Sequence, residues 1–484
     1  MSANCTATNR QVVFVKAFFA IMVQTIRSAV RSKVFHVLFL VILLAVFLLP
    51  TTVSGDGTAA GLVQISLTYS LNVVVALIST TTLWLACSLL SREIEAYNIH
   101  LVVSKPCPRW LVWLGKWAGV FVMHAVILLV SATIIFVLIN WRLRQGNFSE
   151  EEMSRLKMET MVGRRAFRPQ RPDFESEVNL EYRRRQSSGE LDAGHNEGAV
   201  KNEIRRSVIA KAGEVKPGDM KTWVYQNVST SGEDDMLYVR YRMYSGDSTD
   251  TNQKMIPCLW GFLLPMEKSE VSTPFAMQDF RVAGGSFQEM PVRAAAVIDR
   301  KQNNRVVLRF LNLPQEMWGG VEAVPAVFQA ADQPVILCRV TGFFSNYARS
   351  MILALFQIAF LAALGCAVGS AFSTPVAAFA AISYLVIGMS VQAALGAPLR
   401  NEDGSYKYKN LMEKSVHKFA QVIRVLVVSV DDLDATSDLA KGNLVEYSRI
   451  GKAFLNLIVI RTGLIAGLGI WILTKRELGT VIKR

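Results

Sequence analysis

Residues 91–116 read SREIEAYNIHLVVSKPCPRWLVWLGK and lie between two long apolar runs. The stretch gathers the carboxylates Glu93 and Glu95, a Pro-Cys-Pro turn and the cations Arg92, Lys105, Arg109 and Lys116. Such a mixture suits charge steering and docking, because a partner surface needs charges that orient it and a stiff piece of chain that transmits force. Pro106 and Pro108 disfavour a continuous helix and force a turn, leaving a short helical piece before them on the face of the membrane. Catalytic chemistry is not on offer. The chain has no Gly-rich loop ending in Gly-Lys-Ser/Thr, no His-Glu-x-x-His helix, no Gly-x-Ser-x-Gly elbow and no metal-spaced Cys/His cluster. Any ATP that drives this protein is therefore expected on another chain, and no cofactor or metal is expected on this one.

Polar groups inside apolar runs are costly, so each is a candidate for a transport path. Asn72, His124, Gln357, Gln392 and Arg461 form that set. The plainer reading of the first four is a hydrogen bond to a neighbouring helix, and Arg461 lies near enough to its run's end to reach headgroups. Gly365, Gly369, Gly388, Ala394 and Gly396 suit close helix packing. Of the six cysteines, Cys258 and Cys338 fall in the large polar insert, where they form a disulfide or stay as two buried thiols.

The elements that must position these residues are helices in a bilayer. The chain is 51% hydrophobic, and its apolar residues gather at about 34–53, 62–90, 111–141, 350–372, 375–398 and 453–474. Each run is near or above the ~20 residues that cross the hydrocarbon as a helix, so six spans are expected. Residues 1–33 alternate apolar and basic groups and are expected to form an amphipathic interfacial helix. The net charge of +13 is not a nucleic-acid signature, because the insert at 142–348 is balanced, with 28 Lys/Arg against 27 Asp/Glu. The excess sits beside the membrane, at 1–33, 91–116 and the tail 475–484, which places both termini and the 91–116 loop in the cytoplasm. The insert then lies outside, as does 399–452. Its first part, 142–220, reads as charged, helical and partly mobile. Its second, 221–348, reads as β-rich and sandwich-like, from the runs TWVYQNVST, MLYVRYRMYS, CLWGFLLP, RAAAVID, NRVVLRFLNL and VILCRVTGFF.

The order E-x-E, about ten residues, S-x-P-x-x-R, then L-G-K resembles the first cytoplasmic loop of type-2 (ABC-2) permease subunits of ATP-binding-cassette exporters. The entry TIRSAVRSKVF, the turn FSTPVAAFAA, the approach DLAKGNLVEYSRIGKAF and the exit WILTKREL extend the likeness over the membrane part, and none of it covers the insert. The resemblance implies a dimeric permease in a bacterial plasma (inner) membrane, bound beneath to a separate ATPase subunit that holds ATP and Mg. It also implies that Glu93 and Glu95 close the second span and that Ile99 to Lys105, with His100, form the docking piece. Pro106, Arg109, Gly115 and Lys116 would set the turn into the third span, and 399–452 an outer gate. The competing reading is a membrane-anchored binding or assembly protein that acts through the exported β-rich domain.

Overall fold

The computed structural model describes residues 2–53, 57–96, 107–170, 173–191, 196–230, 235–246, 255–263, 278–283, 285, 287–314, 324–329, 332–396, 412, 415, 418–419 and 435–476. The chain divides into two compact units, one of residues 1–163, 342–396 and 416–484, the other of 164–341 and 397–415. The insert's first helix thus belongs with the helical unit.

The helical unit opens with α1 (Ser2–Val30), α2 (Lys33–Thr52), α3 (Ala59–Glu95), α4 (Arg109–Gln145) and α5 (Glu150–Glu159). Their ends follow local chemistry. Thr58 accepts from the Gly61 amide at 3.0 Å to start α3, Pro108 stands at the N-cap of α4, and Ser149 with Glu152 form a capping box on α5. After α6 (Phe174–Ser187), α7 (Glu197–Gly213) and α8 (Ala294–Val297) of the other unit come α9 (Phe343–Ala371) and α10 (Thr374–Gly396). The unit closes with α11 (Thr436–Ala440), α12 (Tyr447–Ala453), a π-helical segment Phe454–Thr462 and α13 (Gly463–Lys475).

Among the described residues six helices are long and apolar enough to cross a membrane: Val13–Val30, Lys33–Thr52, Ala59–Glu95, Arg109–Gln145, Phe343–Ala371 and Tyr447–Lys475. That number suits a multi-pass membrane protein. Five coincide with expected spans. The sixth is the apolar part of α1, the helix expected at the interface, whereas the run at 375–398 is α10, whose described apolar part Thr374–Tyr384 is shorter. At ~1.5 Å per residue, α3 and α4 with 37 residues each exceed the ~30 Å of hydrocarbon, so their ends project beyond it.

The bundle packs around α3, which contributes Val63, Leu67, Leu71, Val74 and Ile78 to a core shared with α2, α4 and α9. Two Gly-x-x-x-Gly pairs permit close approaches between its helices. On α9, a β-carbon at Gly365 would stand 2.5 Å from that of Ala86, and one at Gly369 2.6 Å from the Cys87 carbonyl oxygen on α3. On α4, Gly115 and Gly119 seat Ile21 and Thr25 of α1 in the same way.

The second unit holds most of eleven strands: β1 (Val162–Phe167), β2 (Glu214–Val215), β3 (Met220–Tyr225), β4 (Met236–Tyr241), β5 (Tyr244–Ser245), β6 (Met255–Phe262), β7 (Gln278–Ala283), β8 (Gln288–Arg293), β9 (Val306–Asn312), β10 (Ala326–Val327) and β11 (Val335–Gly342). They form two four-stranded sheets, ordered β1-β11-β4-β8 and β3-β9-β6-β7, and a small sheet β2-β10-β5. Alternate residues of both larger sheets meet in one core, in which Trp260 lies 5.8 Å from Trp223 and 4.9 Å from Phe310 between ring centroids. The run RAAAVID is not a strand. It forms the short helix α8, because three alanines favour helix and place no β-branched surface on a sheet. Strand β8 went unread because it carries only two alternating apolar residues, Met290 and Val292, and a proline, which disfavours a strand. Helices α6 and α7 pack together around Val178, Tyr182 and Ile204.

Candidate functional site

Four charged residues flanking 97–106, Glu93, Glu95, Arg109 and Lys116, are tied to neighbouring helices. In the last turns of α3, Glu93 pairs with Lys116 of α4, whose residue is only 5% exposed. The carboxylate of Glu95 accepts from the backbone amide of Thr374 at 2.9 Å and from its hydroxyl at 3.2 Å, at the start of α10. A helix start leaves amides without intrahelical acceptors and carries partial positive charge, so an anion belongs there. Arg109 does the converse at the end of α13, donating from Nη1 to the carbonyls of Leu473, Thr474 and Arg476 at 3.1, 2.8 and 3.1 Å. Ser91 Oγ lies 3.3 and 3.2 Å from the carbonyl oxygens of Gly369 and Phe372, and Arg476 donates to the Ser370 carbonyl at 2.7 Å. The ends of five helices, α3, α4, α9, α10 and α13, are thereby knotted at the two feet of the 97–106 loop.

Four members of the expected coupling set, Glu93, Glu95, Arg109 and Lys116, come together in this knot; Ile99, His100, Lys105 and Pro106 lie outside the described residues. Glu95 and Arg109 meet helix ends of opposite partial charge, and Glu93 and Lys116 meet each other. Ser91, Ser370 and Arg476 were missed. The available signal was their position within one turn of a helix end, where carbonyls need donors.

The path candidates have mixed settings. His124 is buried and donates from Nδ1 to the Val120 carbonyl of its own helix at 2.9 Å. Gln357 is buried and donates to Ser79 Oγ across the α9–α3 contact at 3.2 Å. Asn72 is exposed on α3, and the side chain of Gln392 lies outside the described residues. Arg461 sits in the π-helical segment with Nε 3.3 Å from Asn456 Oδ1. The wider turn there leaves Thr462 bonded to the carbonyl five residues back, Leu457, at 2.8 Å. A further capping arginine was missed at the far end of α4, where Arg142 donates to the Pro50 and Val53 carbonyls at 2.6 and 2.7 Å, closing the end of α2. Of the 399–452 segment only parts are described; α11 contributes Leu439 and Ala440 to the α3 core.

In the sandwich, Cys258 on β6 and Cys338 on β11 are fully buried and not disulfide-bonded, which leaves the second of the two expected alternatives: the two strands belong to different sheets, and both side chains lie in the shared core. Burial pushes the Cys338 thiol up to about 12. Glu289 accepts from Arg164 at 2.8 Å and Arg240 at 2.7 Å. Burial would raise its carboxyl, but the two guanidiniums outweigh it and hold the group below the ordinary carboxylate range. Among the described residues no group of three or more His, Cys, Asp or Glu side chains could hold a metal ion.

No family model, curated protein or solved structure matches this chain.

Proposed function

We propose that the chain is the membrane-spanning permease subunit of an ABC-2-type exporter, working as a dimer, with residues 97–106 as the cytoplasmic piece that docks a separate ATP-binding subunit. What supports the reading is the knot. A docking piece passes force to the bundle only if both its feet are fixed to the moving helices, and Glu93, Glu95, Arg109 and Lys116 tie the two feet to five helix ends. The long apolar helices supply the path, and ATP with its Mg belongs to the partner. In this reading the protein sits in a bacterial inner membrane with both termini inside and the sandwich outside.

The test separates docking from transmission. Deleting residues 99–105 is expected to abolish co-purification with the ATP-binding subunit. E95Q and R109Q are expected to leave that association intact while uncoupling ATP hydrolysis from transport. The proposal fails if cysteines placed in 97–106 are labelled from the outer side, or if the purified chain hydrolyses ATP alone.

A further inference from the structure

Helix α1 presents a face that nothing in the bundle requires. Its inner side, Ile21 and Thr25, is seated on Gly115 and Gly119 of α4. Its outer side forms a groove of about 780 Å³ lined by Phe19, Val23, Gln24, Arg27, Ser28 and Arg31, a volume in the ~300–1,000 Å³ range of small-ligand sites. Arg27 and Arg31 stand one turn apart, so their guanidiniums can close on a single anion, and Gln24 and Ser28 add neutral donors beside them. Phe19 and Val23, 53% and 40% exposed, offer apolar surface one to three turns away along the same face.

The groove's charge is uncompensated by its own stretch of chain: no Asp or Glu occurs before Asp56, while Arg10, Lys16, Arg27, Arg31 and Lys33 all precede it. The exposed side of α1 is thus basic at Arg27 and Arg31 and apolar over Phe19 and Val23, with the exposed Lys16 about one turn further on, on a helix whose residues 13–30 are apolar enough for hydrocarbon. A soluble phosphate would use the cations and leave Phe19 and Val23 idle. A molecule with an anionic head and apolar tails uses both ends.

We propose that this face is a binding site for an anionic phospholipid, its phosphate held between Arg27 and Arg31 with Gln24 and Ser28 donating, and its acyl chains along Val23 and Phe19. The site does not rest on the exporter reading, since it needs only a bilayer.

The test is native mass spectrometry of the full chain in detergent, titrated with dioleoyl phosphatidylglycerol or dioleoyl phosphatidylcholine. The native chain is expected to prefer the anionic lipid. R27Q/R31Q should lose about 30-fold of that preference, at roughly fivefold per cation. R27K/R31K should keep most of it, as should R144Q/R155Q, which removes two exposed cations elsewhere. Unchanged far-UV circular dichroism shows that R27Q/R31Q still folds. The proposal is overturned if the native chain shows no preference, if R27Q/R31Q retains it, or if millimolar inorganic phosphate displaces the lipid, which would assign the groove to a soluble anion.

Discussion

The Glu93–Lys116 pair lends itself to a quantitative test, because its two members are buried unequally. The Lys116 side chain is 6% exposed and that of Glu93 21%. Replacing Glu93 by alanine leaves an ammonium with little access to water, and breaking a buried pair in this way costs about 3–5 kcal/mol. Replacing Lys116 by methionine leaves a carboxylate that still reaches solvent, and the methionine refills the space, so the loss should be smaller, roughly 1–2 kcal/mol. For a unit larger than the ~150–250 residues that shift 2–4 °C per kcal/mol, E93A should lower Tm by about 5–8 °C and K116M by ~2–3 °C. The double variant E93A/K116M should fall closer to K116M than to the sum of the two, because the stranded charge is gone. Tryptophan fluorescence during thermal unfolding of the detergent-solubilised chain measures all three. Additive losses, or a K116M variant worse than E93A, would falsify the assignment of this pair as a buried charge pair.

Three further outcomes follow from other parts of the molecule. G369I should weaken or prevent the α3–α9 contact by at least the ~1–3 kcal/mol of overpacking, since its β-carbon would meet Cys87 backbone rather than a movable side chain; lower Tm and yield would be read out, and an unchanged Tm would refute the close approach. Alkylation of Cys258 and Cys338 should give the same mass with and without reductant, and the Cys338 reaction should not accelerate between pH 7 and pH 10, because its thiol keeps its proton up to about 12. On acidification the unfolded chain takes up a proton at Glu289 before the folded one does, so stability present above the ordinary carboxylate range is lost as pH falls through the depressed folded value. Fluorescence of the Trp223–Trp260 pair should therefore show the native sandwich losing stability below about pH 4.5 more steeply than E289Q.

The membrane helices were legible in the sequence because the bilayer imposes one local rule, a run of some 20 apolar residues, and α2, α3, α4 and α9 obey it strongly. Glycines at four-residue spacing marked Gly365 and Gly369 as packing positions before any partner helix was known. The β-branched and aromatic runs disclosed β3, β4, β6, β9 and β11, each of which carries its own alternation. Strands such as β7 and β8 escaped, since their pairing with β6 and β4 is fixed by register across the sheet and not by composition.

Residue types alone placed Glu93, Glu95, Arg109 and Lys116 between two apolar runs, as charges in need of partners. Where those charges go was decided by the tertiary structure. Thr374 and Leu473 are distant in sequence from Glu95 and Arg109, and only the folded bundle brings their helix ends within hydrogen-bond reach. A helix terminus announces unsatisfied amides or carbonyls locally, but the side chain that answers them is chosen by which helices pack together.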